Sequence, residues 1–245
     1  MALQFDILIP AAALRIAAVT PFTSIDFPGK LAAVVFLRGC PWRCSYCHNR
    51  WMRSRRAQSQ DPQWNQVQEL LDKRRGLLDG VVFSGGEPCM DPALPAAVRL
   101  VKELGFAVGL HTSGAYPRRL REVVGLIDWV GLDVKGNPQH PEAFDAIAGV
   151  KGACGAFLES FGVVKQAGVD FEVRTTAHPD YISEEDILSI GSWLKQRGVG
   201  AYALQIFRKA PGMETELSPV PESWPSQSTL KALDAMFGRF TLRRD

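Results

Sequence analysis

Residues 81–110 read VVFSGGEPCMDPALPAAVRLVKELGFAVGL. A short β-branched and aromatic run at 81–83 meets a paired-glycine turn, and a helix-compatible stretch follows at 92–104. Gly105 stands where that helix should stop, and FAVGL at 106–110 is a second strand-like run. Strand, turn, helix and strand in succession form a β-α-β unit, which requires parallel strands joined by a right-handed crossover.

The same alternation extends outward in both directions. Strand-like runs recur at 31–37 (LAAVVFL), 129–134 (WVGLDV), 169–175 (VDFEVRT) and 201–207 (AYALQIF), and helix-like stretches at 62–75, 157–167 and 183–196. Ser183 with Asp186 approximates a capping box, and Gly168 and Gly198 fall at helix ends. About six alternations imply an α/β fold with a parallel sheet, either an open doubly wound sheet or a barrel. In both, the functional groups gather at the carboxyl ends of the strands. Residues 211–225 read as a loop and 228–239 as a closing helix, with no domain boundary along 1–245.

With 245 residues, 46% hydrophobic and 22% charged, the chain is long enough to bury a core and departs from disordered, collagen-like and disulfide-scaffold compositions. A net charge of +2 is too balanced to make nucleic acid or an anionic membrane the main partner. Gln4, Asp6, Pro10 and Arg15 interrupt the apolar start, which is not read as a signal peptide, and no run is long enough to span a membrane. A cytoplasmic protein is expected. Of the five cysteines, Cys40, Cys44 and Cys47 lie together while Cys89 and Cys154 stand alone, a layout that suits metal ligands in a reducing compartment and packed lone thiols.

The loop after the 31–37 strand reads RGCPWRCSYCHN over 38–49, giving C-x3-C-x2-C spacing. A structural zinc site wants four ligands, usually with a distant second pair, and none exists here. Zinc completed by His48 or a remote cysteine, or three plain reduced thiols, stand as alternatives to an iron–sulfur cluster. A four-iron cluster held by three cysteines leaves one iron open to another ligand.

This spacing, with Tyr46 before the third cysteine, resembles the radical S-adenosylmethionine (SAM) superfamily. The resemblance implies a partial (β/α)6 TIM-like barrel of parallel strands, with Cys40, Cys44 and Cys47 holding a [4Fe-4S] cluster whose open iron binds SAM. It further implies Tyr46 near the adenine, His48 as another cofactor contact, and Gly85, Gly86 and Glu87 at the methionyl amino group. Thr112 of the 111–114 segment HTSG and the pair Asp133 and Lys135 of the 133–135 segment DVK carry over as SAM contacts. Alternation along a strand puts Asp133 and Lys135 on one side, where they form either a grip on SAM or a plain ion pair. Arg174 and His178, at the end of the fifth strand, are further SAM or substrate candidates. Ser113 and His111 depart from the pattern, which more often has Asn and Asp there.

TSIDFPGK at 23–30, LRGC at 37–40, CHN at 47–49 and GLDVKG at 131–136 resemble the activating enzymes of glycyl radical enzymes, a likeness that covers 20–208. No cysteine occurs at 48–80, which disfavours the subgroup with an inserted ferredoxin-like module. Among these enzymes the likeness is greatest to activases of anaerobic ribonucleoside-triphosphate reductase. It implies that an electron donor such as flavodoxin or ferredoxin reduces the cluster, that SAM is cleaved to a 5′-deoxyadenosyl radical, and that this radical takes a hydrogen from a partner glycine. A radical SAM enzyme acting on a small molecule, or on a different glycyl radical enzyme, is the alternative.

Overall fold

The computed structural model describes residues 9–209, 213 and 216–244. One eight-stranded sheet runs in sequence order through β1 (Ile16–Thr23), β2 (Ala32–Leu37), β3 (Gly80–Gly85), β4 (Ala107–Thr112), β5 (Trp129–Asp133), β6 (Asp170–Ala177), β7 (Ala201–Ile206) and β8 (Arg239–Arg243). β1 pairs antiparallel with β2, and every later pairing is parallel. The helices α1 (Trp64–Lys73), α2 (Leu94–Glu103), α3 (Pro117–Val123), α4 (Pro141–Ala148), α5 (Ala153–Ala167), α6 (Glu184–Gln196) and α7 (Gln227–Met236) lie between the strands. The fold is thus the expected α/β architecture of parallel strands.

Six of the strands, β2 to β7, are those read from the sequence. β1 and β8 extend the sheet at its two edges and were not foreseen. Both are half exposed, β1 contains Pro21, and β8 alternates arginine with apolar residues, so neither shows the unbroken apolar run of a buried parallel strand. The short helices α3 and α4 were also missed. Among the expected helices, α6 has its capping box in place, with Ser183 Oγ accepting from Asp186 N at 3.0 Å. The loop expected at 211–225 lies partly outside the described residues.

The outer faces of the strands pack against the helices in one large core that includes Phe83, Leu110, Phe144 and Phe157. The inner face holds a small apolar plug of Phe27, Val34, Val82 and Trp129. Phe27 comes from the loop after β1 and seals the amino end of the strands. A Cβ on Gly80 would sit 2.8 Å from the Ala107 carbonyl oxygen and 3.0 Å from the Phe27 ring, which is why β3 starts with glycine. Above this plug the inner face turns polar. No single helix among the described residues is long and apolar enough to cross a membrane.

Candidate functional site

A cavity of about 390 Å3 opens at the carboxyl ends of the strands. Cys40, Cys44, Cys47, Tyr46 and His48 line it from the loop after β2, joined by Gly85, Gly86, Thr112, Asp133, Lys135 and Arg174. Eleven residues picked from five separate stretches of sequence therefore face one space. Glu87 and His178 do not.

The cysteine loop is pinned on both flanks. Gly39 N and Cys40 N donate to the carbonyls of Met52 and Arg53 at 2.7 and 3.1 Å, and Arg43 N donates to Ala148 at the end of α4 at 2.8 Å. Trp42 packs edge-on against Phe144 of α4. Just before the loop, the buried Arg38 guanidinium makes a two-point ion pair with Asp61, at 2.5 and 2.6 Å. An ion pair removed from water holds only when both partners are satisfied, so it fixes how the 50–61 segment returns to β2.

Gly85 and Gly86 serve this loop as much as any ligand. Gly85 has φ +113°, and a Cβ there would lie 2.4 Å from Leu37 N. A Cβ on Gly86 would lie 2.2 Å from the Gly39 carbonyl oxygen. Their close approach lets Gly86 N donate to Leu37 and Glu87 N to Gly39, at 2.9 and 2.8 Å. The end of β3 is thereby stitched to the backbone that carries Cys40.

The Glu87 carboxylate is fully buried and saturated. Oε1 accepts from Cys89 N at 3.0 Å and Thr112 Oγ1 at 2.7 Å, and Oε2 accepts from Ser113 N and Oγ at 2.9 and 2.6 Å. It ties the turn after β3 to the turn after β4. Thr112 lines the cavity, but its hydroxyl is committed to Glu87 and to Gly114 N. Ser113, which stands where Asn is commoner, supplies two of the four donors.

On the opposite wall Asp133 sits between two cations. Lys135 Nζ is 2.8 Å from Oδ2, and Arg174 Nε is 2.9 Å from Oδ1. Burial by itself would raise Asp133, but Arg174 and Lys135 outweigh it and hold the carboxyl well below the usual range. Lys135 is pushed the other way: burial would lower it, but Asp133 together with Tyr46 and Cys44 outweighs burial and raises it. The pair foreseen from strand alternation is therefore a triad, completed by Arg174 from β6. Lys135 also lies 6.0 Å from the centroid of the Tyr46 ring, and the Tyr46 hydroxyl is 3.5 Å from the Lys135 carbonyl.

His111 lies deeper in the same wall. Nε2 is 2.9 Å from the Asp26 carbonyl and must donate to it, so Nδ1 accepts from Ser84 Oγ at 3.3 Å. Removal from water, then the charge of Arg174, lowers it to about 3. It is a neutral spacer that ties the loop after β1 to β3. His178 has both nitrogens engaged, Nε2 with the Ser218 carbonyl at 2.9 Å and Nδ1 with Asp180 N at 3.2 Å, and packs on Phe207. His48 packs on the same ring at 5.3 Å, so His178 reaches the cavity only through Phe207 and His48. Arg243 was not foreseen: it enters the lining from β8 and pairs with Glu172 at 2.8 Å. Alternation along β8 was its one sequence signal.

All five cysteines are free thiols, and Cys89 and Cys154 are buried away from the cavity as packed groups. Burial and the nearby Glu87 charge push Cys40 up to about 12, and burial raises Cys44 as well, so thiolates form here only against a strong cation. Among the described residues, no three His, Cys, Asp or Glu side chains converge on a single-ion site. Three separately placed thiols in one cavity, with glycine-lined backbone and a charged triad beside them, fit a cluster in which each thiolate takes its own iron.

Comparison with known proteins agrees with this chemistry. The Radical SAM superfamily profile matches residues 34–191. A Methanocaldococcus jannaschii protein provisionally named a glycyl-radical enzyme activating enzyme is 30% identical over 224 residues, covering 89% of each chain. The pyruvate formate-lyase-activating enzyme of Clostridium pasteurianum is 31% identical over 199 residues, covering 74% of this chain and 76% of that one. In fold, the chain is similar to Streptococcus suis SuiB bound to S-adenosylmethionine, with a TM-score of 0.66 and 12% identity. That match covers 84% of this chain and 48% of SuiB, so the chain spans about half the SuiB length. The chain belongs to the radical SAM superfamily, as an enzyme of the class that activates glycyl radical enzymes with a [4Fe-4S] cluster and S-adenosylmethionine.

Proposed function

We propose that this enzyme installs the glycyl radical of an anaerobic ribonucleoside-triphosphate reductase in the cytoplasm, drawing its electron from a flavodoxin or ferredoxin. The observation that supports this most directly is the sharing of one 390 Å3 cavity by three free thiols and the Asp133, Lys135 and Arg174 triad. Cys40, Cys44 and Cys47 would hold the cluster, which would supply the one electron that makes SAM a source of a carbon-centred radical. Lys135 and Arg174 present cations to a carboxylate, and Asp133 sets their positions while offering acceptors to hydroxyl or ammonium groups. Tyr46 and His48 give flat apolar surface to the adenine. The Gly85–Gly86 backbone lies at the cavity for the methionyl ammonium, with the N–H of Gly86 spent on Leu37. Glu87, Thr112 and His178 are assigned to positioning, because their polar atoms are taken by the protein itself.

The choice of reductase rests on the overall likeness of 20–208, which among the activases is greatest to that subgroup. A second reading, a pyruvate formate-lyase as target, draws on the 31% identity to the clostridial activase. Electron paramagnetic resonance separates them. The anaerobically reconstituted enzyme with SAM and reductant is mixed in turn with the reductase and the lyase. A glycyl doublet on the reductase alone supports the proposal, and a doublet on the lyase alone overturns it. Loss of the doublet in Cys40→Ala, Cys44→Ala or Cys47→Ala tests the ligand assignment.

A further inference from the structure

Between Asp26 and Asp61 the chain holds seven Lys and Arg and no Asp or Glu, whereas the remainder carries five more acidic than basic residues. The segment that bears the three thiols is therefore the basic part of a nearly balanced protein. Its fold leaves three of these charges outside, while Lys30, Arg53 and Arg55 are half-buried and Arg55 pairs with Asp91. Arg38 turns inward to Asp61, but Arg43, Arg50 and Arg56 are exposed. The 50–56 stretch lies directly against the first cysteine, through the bonds from Gly39 N to Met52 and from Cys40 N to Arg53. Trp51 stands among these cations with 51% of its surface in water, the Arg38 guanidinium 5.5 Å from its ring centroid. From across the loop, exposed Arg208 and Lys209 follow β7 beside the packed rings of Phe207 and His48.

Shaping the loop accounts for some of these groups. Arg43 donates to the Cys40 and Trp42 carbonyls and Arg50 to that of Ser45. It does not account for Arg56 or Lys209, whose side chains make no hydrogen bond among the described residues, nor for an exposed tryptophan. Arginine around an exposed aromatic anchor is the composition of a recognition surface. A one-signed field speeds encounter with an opposite charge, and weak redox encounters use small interfaces of this kind.

Resting on the activase reading, we infer that this surface docks an acidic one-electron carrier protein. The carrier is oxidised by one electron, the metal centre on the three thiols is reduced by one, and no bond is made or broken. Arg50, Trp51 and Arg56 lie outside the cavity lining. A carrier seated on them approaches the thiols through the loop that bears them and leaves the cavity open for the partner glycine.

The test uses the reconstituted holoenzyme and a purified flavodoxin, with association rates measured by stopped flow at low and high salt. The double variant Arg56→Glu, Lys209→Glu is expected to slow association about tenfold or more at low salt and flatten the salt dependence, while neutralising Arg56→Gln falls between. Trp51→Ala is expected to weaken binding at every salt concentration. SAM cleavage driven by dithionite, which needs no docking, stays at the wild-type rate. Flavodoxin association that ignores charge reversal, or a loss confined to binding of the glycyl radical enzyme, overturns the inference. Absence of dithionite-driven cleavage in the unmodified holoenzyme would instead overturn the activase reading on which it rests.

Discussion

Arg174 reaches across from β6 to place Nη2 and Nε 2.8 and 2.9 Å from Asp133 Oδ1, on the neighbouring strand. Because Lys135 takes the other carboxylate oxygen, a single anion sets the positions of both cations in the cavity wall.

Asp133→Asn removes that anion and leaves two cations side by side. Breaking a buried pair costs about 3–5 kcal/mol, and here the lower end applies because the Asp133 side chain keeps 25% of its surface exposed. Urea unfolding should show the loss, and the double variant with Arg174→Gln should recover part of it. Equal stability of Asp133→Asn and wild type would mean the triad is solvated and carries no strain.

Glu87→Ala strips four donors of their acceptor at a site with no water access. The expected cost is about 1–3 kcal/mol per stranded donor at most, with Glu87→Gln milder because one carbonyl remains. Thermal unfolding checks the order wild type, Gln, Ala. If Glu87→Ala kept full stability but lost only SAM affinity, the carboxylate would be a ligand contact and not a bracket.

Gly86→Ala drives a Cβ to 2.2 Å from the Gly39 carbonyl, so the cysteine loop must move. Iron and sulfide content after reconstitution should fall at least in step with activity. Gly152→Ala meets no atom within 4 Å and serves as the comparison; its positive φ makes it a probe of backbone strain without loop displacement. Unchanged iron content in Gly86→Ala would show that the loop tolerates the shift.

His111, lowered to about 3 from an ordinary value of 6.5, takes up its proton in the unfolded chain well before the folded one. Stability should therefore be level above about pH 6.5 and fall as the pH drops from there toward 3, by up to about 1.4 kcal/mol per unit. His111→Gln, which keeps hydrogen bonding without titrating, should lose this part of the acid sensitivity. Urea titrations of both proteins at pH 7 and 5 decide it, and parallel losses would assign the effect to other groups.

Much of this was readable from the chain. Short apolar or β-branched runs at 31–37, 81–83, 106–110, 129–134, 169–175 and 201–207 became β2 to β7, because strands inside a parallel sheet leave a largely apolar or β-branched record. Edge strands leave none, which is why β1 and β8 were invisible, and with them Arg243. The spacing of Cys40, Cys44 and Cys47 is local, so the sequence carried the cluster motif whole. The cavity-facing end of β5 was also legible, since a two-residue period needs no tertiary information to put Asp133 and Lys135 on one side.

Sequence alone determined the repeating β-α unit, the three thiols and the residues at each strand end, because all of these follow from spacing along one chain. Tertiary structure alone decided which of those strand-end groups are free. Glu87 and His178 look like ligands in the sequence, yet the fold commits every polar atom of their side chains to Thr112, Ser113, Cys89, Ser218 and Asp180. Whether a buried polar atom faces a ligand or a neighbour depends on donors brought from distant segments, and a buried group must be satisfied by whichever donors the packing supplies.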